Sequence, residues 1–130
     1  MDIKPIYVTF EQAKLLKEKE FDIICSQCYA EERLIDKKTG GDLYTGIYRM
    51  CTKSRFHKRY YYAPEQHIVV EWLRVKHGIW VEIRYLDDVL NFGYIVTTIK
   101  NNTEQKEKYN YNSPQEAYSA AFDYILKEMI

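Results

Sequence analysis

Three stretches of the chain place apolar residues at helical intervals, and each begins or ends with a recognisable cap. The predicted helices cover residues 9–20, 64–77 and 114–129. Thr9 and Gln12 form a capping box at the first, and Ser113 caps the third, with a proline and a glutamate in its first turn. Pro64 stands at the first helical position of the second helix, and Gly78 follows that helix as a left-handed stop. The caps and the periodicity together predict three amphipathic helices.

Between the second and third helices the spacing changes to strict alternation. Residues 79–85 place alternate apolar side chains, such as those of Val81 and Ile83, on one face, which is typical of a half-buried strand. An Asp-Asp pair then turns the chain, and two further strands are predicted at residues 89–100 and 104–111. Three successive strands with short turns predict an antiparallel meander.

The segment between the first and second helices is also rich in strand-forming residues. Residues 22–36 favour an extended chain, residues 37–42 form a turn, and residues 43–62 are either one long strand or two broken ones. The predicted fold class is α+β, with a mostly antiparallel sheet of about five strands in one layer and two or three helices packed on one face. Because no repeat, low-complexity tract or Gly/Pro/Ser linker interrupts the sequence, we expect a single domain over residues 1–130.

Composition is that of an ordinary globular protein. The chain has 130 residues, of which 46% are hydrophobic and 29% charged, so it can build a core without a disulfide or a metal. Lysine plus arginine equals aspartate plus glutamate at 19 each, and a net charge of zero gives the whole chain no attraction for nucleic acid or an anionic membrane. The 13 tyrosines suit either half-exposed strands or a binding surface.

Three features of the sequence bear on location. No apolar segment approaches the ~20 residues that a membrane-spanning helix needs. The first residues lack the apolar core of a secretory signal. Three cysteines, an odd number, fit a reducing compartment better than a disulfide framework. We therefore expect a cytoplasmic protein that does not contact a membrane.

Three segments of the chain carry a family resemblance together. They read YVTFEQA at residues 7–13, then APEQ, EWLR and HGIW between residues 63 and 80, and SPQEAY and FDYIL between residues 113 and 126. With these segments the chain resembles a family of small uncharacterised proteins found in phages and prophages of gut Bacteroidota. The matching residues are mostly core and cap positions, so the resemblance speaks to fold and brings no catalytic residue with it. It implies a phage-type accessory protein in the cytoplasm of a bacterial host.

The cysteines include a spacing that is typical of a metal site. Cys25 and Cys28 are separated by two residues, and Cys51 with His57 could complete the four ligands of a zinc ion. The pair lacks the Gly or Pro bend of a zinc knuckle, and in a regular strand its two side chains would point to opposite faces. Reduced cysteines packed as small apolar residues are the simpler interpretation, so we predict no metal and no cofactor.

No sequence motif predicts an enzyme. His67 and Glu71 stand four residues apart on the second helix, but no third partner follows at a telling spacing, and His77 suits a helix C-terminus. The sequence contains no Gly-x-Ser-x-Gly motif, no glycine-rich phosphate loop and no Asp-rich calcium loop. We therefore expect a non-enzymatic protein without catalytic residues.

One segment of the chain concentrates positive charge. Residues 49–62 contain five cations and no acid, so in a chain of zero net charge the remainder sums to −5. The binding residues that we predict in this basic segment are Lys53, Arg55, His57, Lys58, Arg59, Tyr60 and Tyr61. Such a surface can dock an acidic patch of a protein, or neutralise phosphates while its tyrosines stack on unpaired bases. A third interpretation is an edge strand whose charges prevent aggregation.

The function predicted from these observations is binding. We expect a non-enzymatic protein-binding module that acts on a host or phage protein, in a host-modulating or anti-defence role. The alternative is a nucleic-acid-binding protein that uses residues 53–62.

Overall fold

The computed structural model describes residues 6–25, 27–33, 43–48 and 59–130, with side chains described at residues 6–25, 27–29 and 61–130. By its internal contacts the chain divides into two units. The N-terminal unit comprises Val8–Pro64, and the C-terminal unit comprises Met1–Tyr7 together with Glu65–Ile130. The single domain expected over residues 1–130 stays a prediction.

The N-terminal unit begins with helix α1, Phe10–Glu18. The predicted capping box is confirmed, because the Thr9 hydroxyl accepts a hydrogen bond from the Gln12 amide at 3.2 Å and the Gln12 side chain accepts one from the Thr9 amide at 3.0 Å. These two bonds satisfy amide groups that a helix start otherwise leaves without partners. Ala13 and Leu16 are buried on the inner face of α1.

A three-stranded antiparallel sheet completes the N-terminal unit. Its strands are β1 (Cys28–Arg33), β2 (Leu43–Tyr48) and β3 (Arg59–Tyr62), in the order β2-β1-β3. Of the two possibilities for residues 43–62, two separate strands are therefore observed. Helix α1 packs against β3.

The C-terminal unit begins with helix α2, Gln66–His77, which ends at Gly78 with φ of 62°. Gly78 is the predicted left-handed stop, and its amide donates to the Leu73 carbonyl. Pro64 was predicted at the first helical position, which is wrong, because the N-cap is Glu65 and the Pro64 carbonyl accepts from the Val8 amide instead.

The predicted meander is confirmed in the C-terminal unit. Strands β4 (Ile79–Leu86), β5 (Asn91–Thr98) and β6 (Thr103–Tyr111) pair antiparallel in the order β4-β5-β6. Register bulges interrupt the pairing of β5 with β6 at two places.

Helix α3, Pro114–Tyr124, covers this second sheet and continues into a π-helical turn, Ile125–Met129. The Ser113 hydroxyl accepts from the Glu116 amide at 3.2 Å, which confirms the predicted N-cap. Helix α3 contacts all three strands of the meander, and α2 contacts β4 and α3. The largest fully buried side chains of this unit are those of Leu73, Phe122, Ile125 and Leu126.

The α+β class is observed, but the single sheet of about five strands is wrong. The described residues form two sheets of three strands each. Strand β1 is central and pairs with β2 on one side and β3 on the other, so both edges of β1 are hydrogen-bonded within the N-terminal unit. Among the described residues, no helix has the length and apolar character that crossing a bilayer requires.

Candidate functional site

The predicted basic segment lies largely outside the described residues. This applies to Lys53, Arg55, His57 and Lys58. Arg59 and Tyr60 belong to strand β3, but their side chains are also outside the description. The use of these six residues in binding therefore stays a prediction.

Tyr61 is the one predicted binding residue whose side chain is described. Its ring lies edge-on to that of Phe10, with 5.6 Å between centroids, and the Lys17 ammonium stands 5.0 Å from its centroid. Only 9% of Tyr61 is exposed. This ring therefore contributes mainly to the packing of α1 on the sheet of the N-terminal unit.

Two of the four residues considered as zinc ligands, Cys25 and Cys28, are among the described residues. Cys28 is fully buried in β1, and the Cys25 thiol donates to the Ile23 carbonyl at 3.4 Å. Cys51 and His57 lie outside the described residues. Within the part of the chain that is described, no three His, Cys, Asp or Glu side chains come together as metal ligands.

The acid-base pair considered on α2 does not form. His67 pairs with Glu65, whereas Glu71 accepts hydrogen bonds from Arg74, the closer at 2.9 Å. These bonds hold the pKa of Glu71 below its usual range. His77 lies edge-on to the Trp72 ring at 4.7 Å between centroids, and burial lowers the pKa of this imidazole. His67 and Glu71 are therefore engaged with different neighbours, Glu65 and Arg74, and do not act as a pair.

The turn between β4 and β5 carries an unusual exposed surface, which we call the hairpin tip and define as residues 85–92. Leu86 and Asn91 are the last paired residues, so four residues form the turn itself. Val89 is 57% exposed and Leu90 75% exposed. Tyr85, which is also exposed, lies opposite Phe92 with ring centroids 5.0 Å apart. The tip therefore presents two aliphatic side chains beside an aromatic pair.

Leu90 has the left-handed backbone conformation, with φ of 52°. Glycine and asparagine adopt this conformation readily, but a bulky side chain there is an outlier that costs roughly 1–2 kcal/mol. Among the described residues, φ is also positive at Glu20, Gly78, Asn102 and Asn110. Leu90 is thus the one large apolar residue of the described chain that combines this backbone strain with exposure.

The apolar face of β4 explains how the tip comes to be exposed. Ile79 and Val81 are buried, Ile83 is half-buried and Tyr85 is exposed, although all four alternate positions belong to one stripe. The stripe therefore continues past the part of the sheet that is covered, and the apolar character carries on into Val89. The fold therefore buries the beginning of the stripe and leaves its end, at the hairpin tip, exposed.

The charge of the tip is negative. Asp87 and Asp88 are both exposed, directly before the aliphatic pair. Neither aspartate takes part in an ion pair between described residues. Arg84, the nearest cation along β4, is hydrogen-bonded to Glu82 at 3.3 Å. The two aspartates therefore lie beside the apolar surface, and the one cation of β4 is already paired with Glu82.

Sequence reasoning missed this site because it assigned Val89 to the start of a strand. The structure places Val89 and Leu90 in the turn, and β5 begins at Asn91. The sequence carried no signal for this exposure, because Asp87 and Asp88 are common turn residues and the Val and Leu after them are typical of the start of a strand.

Comparison with known proteins brings no relative. No protein-family model matches the chain, and no curated protein or solved structure matches it significantly. Function must therefore be argued from the chain's own residues.

Proposed function

We propose that this protein is a non-enzymatic module that binds another protein, and that the hairpin tip is part of the contact surface. The observation that carries the proposal is Leu90, which is 75% exposed at φ of 52°. A partner that covers this side chain accounts for both properties.

The structure of the free protein does not explain why a leucine occupies position 90. Its backbone conformation costs roughly 1–2 kcal/mol in an L-residue other than glycine or asparagine. Burial offsets little of that cost, because three-quarters of the residue remains exposed. Asparagine or glycine would occupy the same backbone with less strain. Strained backbone of this kind clusters at functional sites.

A bound partner would supply what the fold does not. Burying a whole leucine side chain is worth about 1.5–3 kcal/mol. The adjacent Val89 and Tyr85 extend the surface, and aromatic residues with a polar tip are enriched in protein interfaces. These side chains lie on a hairpin whose strands are paired up to Leu86 and Asn91, so binding orders little additional backbone.

The expected setting follows from the family resemblance. A phage-type accessory protein in a bacterial cytoplasm would meet host or phage proteins, and covering a surface on one of them would modulate the host or oppose its defence. This role requires no catalytic group.

Site-specific photo-crosslinking tests the proposal. A benzoylphenylalanine is placed at Val89 and, as the control, at Val75, which is 65% exposed on α2. Both proteins are irradiated in a nuclease-treated lysate of a Bacteroidota host. We expect one protein to crosslink at position 89 but not at 75, and excess wild-type chain to compete while Leu90→Gly does not. Identical crosslinks at both positions, or equal competition by the two chains, would contradict the proposal.

A second candidate function is binding of nucleic acid through residues 53–62. The observation that favours it is the run of five cations without an acid at residues 49–62. The logarithm of the affinity for single-stranded DNA should then fall linearly with the logarithm of the salt concentration, and the affinity should weaken in a variant that combines Arg55→Glu with Arg59→Glu. Equal binding by that variant and the wild type would remove this candidate.

A further inference from the structure

We infer that the partner of the hairpin tip presents an apolar pocket bordered by lysine or arginine, and that this pocket is not the hairpin tip of a second copy of this chain. This inference rests on the proposed function. It is carried by the position of Asp87 and Asp88 directly beside Val89 and Leu90.

The shape of the tip indicates a concave partner. A four-residue turn places the Val89 and Leu90 side chains at the end of the β4–β5 hairpin, with more than half of each exposed. Two adjacent side chains at the end of a hairpin bury most of their surface only when they enter a pocket. Side chains that fill well-packed, desolvated pockets near the centre of an interface contribute most to affinity.

The charges of the tip indicate the border of that pocket. Asp87 and Asp88 are exposed and take part in none of the ion pairs between described residues. When the aliphatic pair enters a pocket, both carboxylates come to its edge, where complementary charge speeds association and like charge is unfavourable. A cationic edge meets this requirement.

The same charges disfavour a tip-to-tip dimer. In a two-fold symmetric contact the same surface of each copy faces the other. Asp87 and Asp88 of one copy would then approach those of the second, and four carboxylates would be brought together without cations. The charge distribution therefore disfavours pairing of two tips and favours a surface with the opposite charge.

Selection from a displayed library tests this inference with a defined probe. The library is one small helical scaffold whose concave face is randomised, with apolar residues at the centre and any polar or charged residue at the edge. It is selected on the wild-type protein and counter-selected on Leu90→Gly. We expect the ratio of Lys plus Arg to Asp plus Glu at the edge positions to rise at least about threefold over the input library.

A purified selected binder then separates the inference from the proposed function. In a variant that combines Asp87→Asn with Asp88→Asn, we expect association at low salt to slow about tenfold and dissociation to change little. Glu128→Gln, at an exposed carboxylate of the π-helical turn, is the control and should change neither rate. Leu90-dependent binders without the charge preference, or without the change in association, would overturn the inference and leave the proposed function standing. If no binder depends on Leu90, both fail.

Discussion

Replacing Leu90 with glycine should leave the C-terminal unit as stable as before, or slightly more stable, although it deletes a large apolar side chain. Relief of the left-handed strain contributes about 1–2 kcal/mol. The added freedom of glycine in the unfolded chain takes back about 0.4–1 kcal/mol. Losing the buried quarter of the side chain costs about 0.4–0.7 kcal/mol, a quarter of the value for a whole leucine. The three contributions sum to between about −0.7 and +1.2 kcal/mol, so the unfolding free energy should change little, with the middle of the range slightly favouring the variant.

Val89→Gly is the matched control, because Val89 occupies the same turn and is not among the described residues with positive φ. The substitution relieves no strain. It also removes more buried surface, because Val89 is only 57% exposed whereas Leu90 is 75% exposed. We expect it to destabilise the unit by about 1–2 kcal/mol.

Urea unfolding followed by tryptophan fluorescence provides the assay. Both tryptophans, Trp72 and Trp80, belong to the C-terminal unit, so the signal reports the unfolding of that unit. The Leu90→Gly midpoint should lie at or above that of the wild type, and the Val89→Gly midpoint below it. If Leu90→Gly costs as much as Val89→Gly or more, Leu90 is not strained and the reasoning from strain to function fails.

Three further predictions concern the fold that supports the tip. Gly93→Ala should destabilise the sheet by about 1–3 kcal/mol, because a Cβ would lie 2.7 Å from the Lys108 carbonyl oxygen and still closer to the Tyr109 ring; a midpoint unchanged in urea would contradict this. Ser113→Ala should cost about 1 kcal/mol through the lost cap of α3, with Ser113→Asp retaining most of the stability in thermal unfolding. Burial holds the folded-state pKa of His77 below 6.5, so the unfolded chain takes up a proton before the folded chain does as the pH falls. The stability that His77 contributes above pH 6.5 should therefore be lost below it, as measured by urea titrations at several pH values. A His77→Gln variant with the same pH dependence as the wild type would refute this.

Local signals predicted the helices and the meander well, because each rests on contacts between residues close in sequence. The Thr9 capping box, the Ser113 cap and the Gly78 stop all act within a few residues, and the structure contains all three. Strands β4, β5 and β6 are joined by short turns, so their order follows from their sequence.

The pairing of strands that are distant in sequence could not be predicted from such local signals. The central position of β1 depends on partners from two later segments, β2 and β3, and nothing local specifies that both pair with it rather than with the meander. The expected single sheet failed for this reason. Ile83 illustrates the same limit, since alternation predicts which face a residue occupies but not how far the covering helix extends along it.

The candidate site was missed for a related reason. Val89 and Leu90 have the composition of a strand, and only the backbone shows that they occupy the turn, with Leu90 at positive φ. Apolar residues are ordinarily assigned to a core when the sequence alone is considered. Their exposure at the tip is a tertiary property that periodicity does not contain.

The measurement that tests protein binding through the hairpin tip most directly is the affinity of the crosslinked partner, purified and titrated by calorimetry against the wild type and Leu90→Gly. Burial of the exposed three-quarters of the leucine is worth about 1.1–2.3 kcal/mol, so the variant should bind at least about sixfold more weakly while remaining as stable as the wild type. Equal affinities for the two proteins would contradict the account, because the exposed leucine would then serve no partner.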